Sequence, residues 1–343
     1  MTSPLDSLGL SIPVLAAPLG GGPTVPDLVI AAARAGGVGF LAGGYKSADQ
    51  LAEQIAAVRA AGVGFGVNLF APNPVPVDAA AYRGYARAIA GEGKQYAVDL
   101  LDVTVTEDDD RWREKIDLLL TDPVPLASFT FGIPAPSVIT ALRAAGTLVA
   151  QTVTSADEAR QAAEAGVDLL AVQASAAGGH SGTLTPERIP ADVPITDLLG
   201  RIRAAVPLPL IAAGGLATPE AVAGALGAGA AAAMVGTVLL RADEAATSAP
   251  YRAALAGPDR GATLMTRAFT GRPARALRNL FTDRYSGIAP AGYPAVHYLT
   301  SPMRKAAAAA GDPERINLWA GTGYRHATAE PAGRILTRLA SAL

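Results

Sequence analysis

Short runs of apolar residues alternate along this chain with longer segments in which apolar positions recur at helical spacing. The first pairs are a strand predicted at 13–17 with a helix at 27–35, and a strand at 38–42 with a helix at 48–60. Such an alternation is typical of parallel strands joined by crossover helices. Six further strands are predicted at 64–70, 126–131, 147–153, 169–173, 208–213 and 232–240, with helices at 136–145, 156–165, 195–205 and 219–226. Eight strands close an α/β barrel, so the pattern predicts a (β/α)₈ fold.

Two segments interrupt the alternation. Pro72, Pro74 and Pro76 follow the third strand, and the connection to the fourth strand, with helices predicted at 79–90 and 111–120, is too long for an ordinary barrel loop. Beyond residue 262 the alternation ends, and the segment 271–275 is typical of extended chain and turns. We therefore predict a barrel with a smaller second domain. The barrel is expected to comprise 1–73 and 121–262, and this second domain, the cap, 74–120 and 263–343.

Composition narrows the class of protein. Of 343 residues, 50% are hydrophobic and 17% charged, which is typical of a globular chain. The net charge is −2 and no stripe of basic residues is interleaved with aromatic ones, so nucleic acid is not expected as a partner. Cysteine is absent, which excludes disulfides and thiolate chemistry and fits a reducing cytoplasm. We expect a cytoplasmic protein without an export signal, and the uncharged stretch 221–240 is expected to form a helix and a strand rather than a membrane span.

Glycines lie where a barrel binds phosphate. Gly214 and Gly215 follow the seventh predicted strand, and Gly236 and Thr237 lie within the eighth. Barrels commonly bind phosphate through backbone N–H groups at these two strands, and glycine permits the close approach. The same residues could form ordinary turns, but their occurrence at both strands favours a phosphate site.

One of the three histidines, His180, lies in a glycine-rich loop after the sixth strand. We expect this loop to be flexible. In a barrel, this end of the strands carries the ligand, so a histidine here is well placed to move protons. A structural role fits the residues equally well. His297 and His326 lie in the tail without a carboxylate at metal-ligand spacing, so no metal site is expected.

Two amides and one small-residue segment complete the candidate site. Asn68 in the third strand and Gln173 at the end of the sixth could each donate to and accept from the edge of a flavin ring, or satisfy a neighbouring backbone group. The first strand runs into Ala17, Pro18 and Leu19 and then three glycines, which leave room for a flat cofactor.

Several motifs together resemble the class I nitronate monooxygenases, formerly called 2-nitropropane dioxygenases. The motifs that carry the resemblance are 17–19, 66–70, 128–134, 177–180, 271–275, 293–302 and 317–321. They follow in order over almost the whole chain. Singly each is modest, whereas the set is specific to the family.

The resemblance implies an FMN-dependent oxidoreductase that converts alkyl nitronates, including propionate 3-nitronate, and nitroalkanes to carbonyl compounds and nitrite with dioxygen. It implies His180 as the catalytic base for neutral substrates. Its flavin contacts fall here on Ala17, Pro18, Leu19, Asn68, Gln173, Gly178, Gly179, Gly215, Met234, Val235, Gly236 and Thr237.

This chain departs from the family's pattern at three positions. Leu19 stands where a methionine is common, Ala176 where an acidic residue is expected, and Ser181 where an arginine is frequent. These departures concern substrate preference more than fold or cofactor.

Three other functions stay open at the level of sequence. An FMN-dependent enoyl reductase acting on acyl-carrier-protein thioesters, or an NAD(P)H:quinone reductase, would use the same barrel with a reduced nicotinamide. A barrel that binds flavin without catalysis is the third. A barrel related to inosine monophosphate dehydrogenase is excluded, because its mechanism needs a cysteine.

Overall fold

The computed structural model describes residues 4–102, 104–258 and 260–343. Eleven strands occur in this part of the chain: β1 (Val14–Ala16), β2 (Val38–Ala42), β3 (Phe65–Ala71), β4 (Leu126–Phe131), β5 (Leu148–Val153), β6 (Leu169–Gln173), β7 (Gly179–His180), β8 (Leu210–Ala213), β9 (Ala232–Val235), β10 (Thr263–Thr266) and β11 (Ala274–Leu277).

Twelve α-helices occur in the same described segments. They are α1 (Pro26–Arg34), α2 (Ala48–Ala60), α3 (Ala79–Lys94), α4 (Trp112–Thr121), α5 (Pro136–Ala144), α6 (Ala156–Ala165), α7 (Ile195–Ala205), α8 (Pro219–Gly227), α9 (Ala249–Ala256), α10 (Leu280–Tyr285), α11 (Ala295–Ala309) and α12 (Ala332–Leu339).

Eight strands close a parallel barrel in the order β1-β2-β3-β4-β5-β6-β8-β9, and β9 pairs with β1. The predicted (β/α)₈ fold is confirmed. Neighbouring residues of one strand face different cores: Phe40 packs inside the barrel, whereas Leu41 packs between the strands and the surrounding helices. Every residue of β2 is buried, because helices cover the outer surface of the parallel sheet.

A second hydrophobic core lies outside the barrel. Tyr82, Tyr85 and Ile89 of α3 pack there against residues of the tail such as Phe269 and Leu299. Next to this core, β10, β11 and β7 form a three-stranded antiparallel sheet. The connection between β3 and β4 and the C-terminal tail beyond residue 262 thus share one hydrophobic core.

Two helices assigned to the cap from sequence pack instead against barrel elements. Ile116 and Leu119 of α4, and Ile335 and Leu336 of α12, belong to the core between the barrel strands and their helices. The division into a barrel and a cap therefore stays a proposal, and the packing favours counting α4 and α12 with the barrel.

Two local predictions differ from the structure. The strand predicted at 232–240 ends at Val235, because the chain bends at Gly236 (φ −124°, ψ −65°) into a 3₁₀ turn, Thr237–Leu239. His180 does not lie in an irregular loop, since β7 pairs antiparallel with β11. The segment 271–275 agrees with its prediction of turns and extended chain, since a turn at Gly271 leads into the paired strand β11. Within the described residues, the helices are all too short or too polar to cross a bilayer.

Candidate active site

A cavity of about 1250 Å³ opens at the carboxyl ends of the barrel strands. This is the end at which (β/α)₈ barrels bind ligands. The residues selected from sequence all line it: Ala17, Pro18, Leu19, Asn68, Gln173, Gly178, Gly179, His180, Gly215, Met234, Val235, Gly236 and Thr237. The structure therefore brings the whole candidate set to one place.

Glycine residues form one end of the cavity, so that main-chain atoms there are not covered by side chains. Gly214 (φ +102°) and Gly215 (φ +77°) adopt the left-handed conformation that favours glycine. A Cβ on Gly236 would come within 3.2 Å of the Leu19 side chain. At this end a flat or anionic group can approach main-chain N–H groups directly.

The tail closes over this glycine-rich end. Gly321 donates its N–H to Thr237 Oγ1 (2.9 Å), and Thr322 donates its N–H to the carbonyl of Ala176 (3.0 Å). A Cβ on Gly178 would lie 2.4 Å from the nitrogen of Gly321, so only glycine permits this contact. The loop after β6 and the segment 320–322 are thus held together backbone to backbone.

The two strand amides are already hydrogen-bonded to protein groups. Gln173 donates from Nε2 to the carbonyl of His180 (3.2 Å) and accepts at Oε1 from the N–H of Gly182 (2.7 Å). Asn68 donates from Nδ2 to Ser128 Oγ (2.9 Å) and Thr130 Oγ1 (3.0 Å). Gln173 therefore fixes the backbone on both sides of Ser181, which sets the direction in which the His180 side chain leaves the sheet.

An aromatic box surrounds His180. The centroid of its ring lies 5.7 Å from that of Phe131, 5.8 Å from that of Tyr293 and 5.2 Å from that of Trp319. Its Nε2 lies 2.9 Å from Thr270 Oγ1. Burial among these rings, together with the positive charges of Arg272 and Arg304, lowers the pKa of His180 to about 3. The imidazole is therefore neutral at physiological pH, with a lone pair available for a proton.

Arg272 holds the chain that follows His180. It is fully buried, and donates from Nε to the carbonyl of Ser181 (3.2 Å) and from Nη2 to that of Thr183 (2.5 Å). Its guanidinium lies 3.9 Å from the ring centroid of Phe131. Phe131 itself has φ +84°, a strained conformation for a bulky residue, which turns the chain directly after β4. Burial lowers the pKa of Arg272 to about 10, and it remains charged at neutral pH.

One face of α11 forms the wall of the cavity on the cap side. His297, Ser301, Arg304, Lys305 and Ala308 share this face at helical spacing, and all line the cavity. The opposite face, with Val296, Leu299 and Met303, is buried in the cap core. One face of α11 therefore packs in the cap core, and the other face lines the cavity.

Tyr45, from the loop after β2, connects the barrel side of the cavity to the cap-side wall formed by α11. Its ring stacks on that of His297 at 4.3 Å between centroids, with an angle of 2° between the planes. Tyr293 donates its hydroxyl to the Tyr45 hydroxyl (3.2 Å). Burial raises the pKa of Tyr45 to about 12, so the phenol stays protonated. Tyr45, Tyr293 and His297 thus link barrel and cap across the cavity.

The family profile and the curated protein that resemble this chain in sequence carry the same description. A profile of the nitronate monooxygenase family matches residues 3–341. A protein of Staphylococcus aureus (strain Newman) described as a probable nitronate monooxygenase is 33% identical over 337 residues, which are 97% of this chain and 94% of that protein. The chain belongs to the nitronate monooxygenase family. It is an oxidoreductase, as the resemblance found in the sequence implied.

Two solved structures superpose on almost the whole of this chain. A nitroalkane oxidase from Streptomyces ansochromogenes superposes with a TM-score of 0.93 at 44% identity, covering 99% of this chain and 98% of that one. FabK from Thermotoga maritima has a TM-score of 0.76 at 23% identity, covering 99% and 95%. At that identity the likeness to FabK shows a shared fold alone.

In this nitronate monooxygenase family member, sequence patterns did not reveal the cap-side wall. From sequence, His297 carries no signal beyond that of a metal ligand without a carboxylate partner, and the described residues contain no cluster of three His, Asp or Glu side chains suited to a metal. Arg272 and Tyr293 belong to motifs that carry the family resemblance, but nothing in their spacing shows that they lie near His180. Arg304 carried no signal, because an arginine in an amphipathic helix is usually solvated.

Proposed function

We propose that the chain is an FMN-dependent nitronate monooxygenase, which oxidises alkyl nitronates with dioxygen to carbonyl compounds and nitrite. The observation that carries the proposal is a neutral imidazole, His180, enclosed by aromatic rings at the ligand end of a barrel whose neighbouring end is glycine-lined. FMN when bound would accept the electrons of the substrate.

The residues present fit this cofactor. The cavity exceeds the usual volume of a small-ligand site, about 300–1,000 Å³, which leaves room for a mononucleotide and a small substrate together. The phosphate would be held by backbone N–H groups near Gly215 and Gly236, and the ring would lie against Ala17 to Leu19, where few side-chain atoms obstruct it. Asn68 Oδ1 accepts no hydrogen bond from a described residue and remains free for the ring edge.

His180 would act as a general base on neutral nitroalkanes. The proton bound to the carbon next to the nitro group passes to the imidazole, and the C–H electron pair forms the C=N bond of the nitronate. A preformed nitronate has already lost this proton and needs no base. The 44% identity to a nitroalkane oxidase supports the proposal that neutral nitroalkanes are accepted as well.

The direct test is oxygen uptake by the purified protein with propionate 3-nitronate, ethyl nitronate and nitroethane, with nitrite measured in parallel. We expect turnover with at least one nitronate. If NADH bleaches the flavin anaerobically while no nitronate is oxidised, an enoyl or quinone reductase replaces the proposal. A yellow protein that does neither would be a flavin-binding barrel without this activity.

Replacing Gly215 with valine is expected to release the flavin. A Cβ on Gly215 would lie 3.4 Å from that of Ala176, so the valine would crowd the end of the cavity assigned to the phosphate, and a β-branched residue is strained at φ +77°. Gly146→Val is the matched control, because Gly146 has φ +86° and lies outside the cavity. Flavin absorbance per protein should fall strongly in Gly215→Val and stay stoichiometric in Gly146→Val. Equal retention in both would refute this placement of the phosphate.

The acid side of the pH profile tests the state of His180. Since its pKa is lowered to about 3, the imidazole remains unprotonated at pH 5 and loses its function as a base only as the pH falls through about 3. We therefore expect kcat/KM for neutral nitroethane to stay level from pH 8 to pH 5. A histidine with an ordinary pKa of about 6.5 would lose activity by roughly thirtyfold at pH 5. An acid limb with an apparent pKa between 6 and 7 would contradict the proposed electrostatics.

A further inference from the structure

Arg304 is a cation in the wall of the cavity whose orientation is set by neutral partners. It donates from Nε to Thr300 Oγ1 (3.0 Å), from Nη1 to Asn317 Oδ1 (2.9 Å) and from Nη2 to the carbonyl of His297 (3.0 Å). Nη2 also lies 3.3 Å from His297 Nδ1. These contacts leave one N–H of Nη1 without a partner from the described chain. The guanidinium is held rigidly and retains a donor for a ligand.

The charge of Arg304 has no counterion in the described part of the protein. No described Asp or Glu lies within 4.0 Å of it, whereas Arg315, elsewhere in the cap, pairs with both Glu92 and Asp312. A partly buried cation without an anion is costly unless a ligand supplies the charge. Arg304 borders the cavity, so an anionic ligand could reach it.

Arg272, the other guanidinium near His180, cannot take this role. Its exposed fraction is 0%, and the ring of Phe131 lies against its guanidinium. Arg304 keeps part of its surface accessible from the cavity. Tyr293 stands between the two histidines, with its ring centroid 5.8 Å from that of His180 and 6.4 Å from that of His297. A small substrate beside Tyr293 can therefore lie between His180 and Arg304.

The chemistry at His180 needs such a cation. An imidazole whose pKa is lowered by burial and by nearby positive charge is a weak base. It can take a proton from carbon only if the anion that forms is stabilised at the same time. When the proton moves to the imidazole, the negative charge appears on the two oxygens of the nitro group. The same arginine that weakens the base stabilises this product anion.

We propose that Arg304 binds the nitro-group oxygens of the substrate, and so determines the preference of the site for nitronates and for planar anions of similar shape. The inference rests on the proposed function for the identity of the substrate. The anion site itself stands on the position and partners of Arg304 alone.

Nitrate is the probe for the anion site, because it is planar and carries its charge on oxygens. Calorimetry on the flavin-loaded wild-type protein should show nitrate binding, and nitrate should inhibit nitronate oxidation competitively. Arg304→Gln should weaken nitrate binding and raise the KM for ethyl nitronate by about tenfold to a hundredfold, the loss expected for a hydrogen bond to a charged group. Arg334→Gln, an exposed arginine of α12, is the matched control and should change neither.

Chemical rescue separates a substrate contact from a structural role. In Arg304→Ala, millimolar guanidinium should restore part of the lost nitronate activity, which a merely structural defect would not permit. If either variant fails to fold, nitrate binding to the wild type decides, since its absence overturns the proposal. Unchanged nitrate binding and KM in a folded Arg304→Gln protein overturn the proposal while leaving the nitronate monooxygenase function intact. Arg304-dependent nitrate binding without oxidation of any nitronate upholds the anion site and refutes the proposed function.

Discussion

His180→Asn is expected to lose activity on neutral nitroethane by about 10²–10⁴-fold, the usual contribution of a positioned base, while keeping most of its activity on preformed ethyl nitronate. Asparagine preserves a polar side chain in the aromatic box but has no basic nitrogen. Steady-state oxygen uptake on both substrates measures the difference directly. The wild type must first be shown to turn over nitroethane, since the comparison depends on it.

His326→Asn is the control for this substitution. His326 is exposed at the end of a 3₁₀ turn in the tail and does not line the cavity. Both variants should retain stoichiometric flavin and a melting temperature close to that of the wild type. If His180→Asn loses the same fraction of activity on nitroethane and on ethyl nitronate, the base assignment fails and His180 is a binding residue.

Gly178→Ala is expected to have the second largest effect, on both stability and flavin retention. The added Cβ would lie 2.4 Å from the nitrogen of Gly321 and 2.6 Å from the carbonyl carbon of Ala320, and backbone on both sides cannot yield as a flexible side chain would. Separating these segments should cost about 1–3 kcal/mol of unfolding free energy. It should also open the glycine-lined end of the cavity, because this contact holds the loop after β6 under the tail.

Gly200→Ala supplies the matched comparison. Gly200 is an exposed position in α7, and a Cβ there meets no atom within 4 Å. Alanine at this site should leave flavin binding unchanged and stabilise the helix by about 0.5–1 kcal/mol. Thermal unfolding monitored by circular dichroism, with flavin fluorescence as the second signal, distinguishes the two variants. A Gly178→Ala protein with wild-type stability would show that the tail does not constrain the loop.

The barrel could be predicted because its signals are local. Helices α6 and α7 begin and end at the residues predicted for them, where Ser155 caps the first and Pro194 precedes the second. The sequence pattern does not show the boundary after β9, because Thr237, Val238 and Leu239 are apolar or β-branched and continue the strand pattern. The bend at Gly236 depends on how this segment packs beneath the tail, and nothing in the local sequence shows it.

One part of the candidate site could likewise be predicted from the sequence, and another part could not. The positions of Gly215, Gly236 and His180 follow from one rule, that residues after the strands of a parallel barrel meet at one end. Whether they would face a common cavity with the tail could not be deduced. The stack of Tyr45 on His297 and the hold of Arg272 on the 181–183 backbone join residues far apart in sequence.

The amino-acid sequence by itself determined the eight-stranded barrel, the glycine-lined end and the placement of one histidine, because each depends on periodicity or on a residue's own backbone preference. Only the tertiary structure decided that His180 is neutral, that β7 pairs with β11, and that α11 lines the cavity with Arg304 and His297. Burial, the pKa shift it causes and the absence of a counterion among the described residues are properties of surroundings contributed by the whole fold, and no local pattern encodes them.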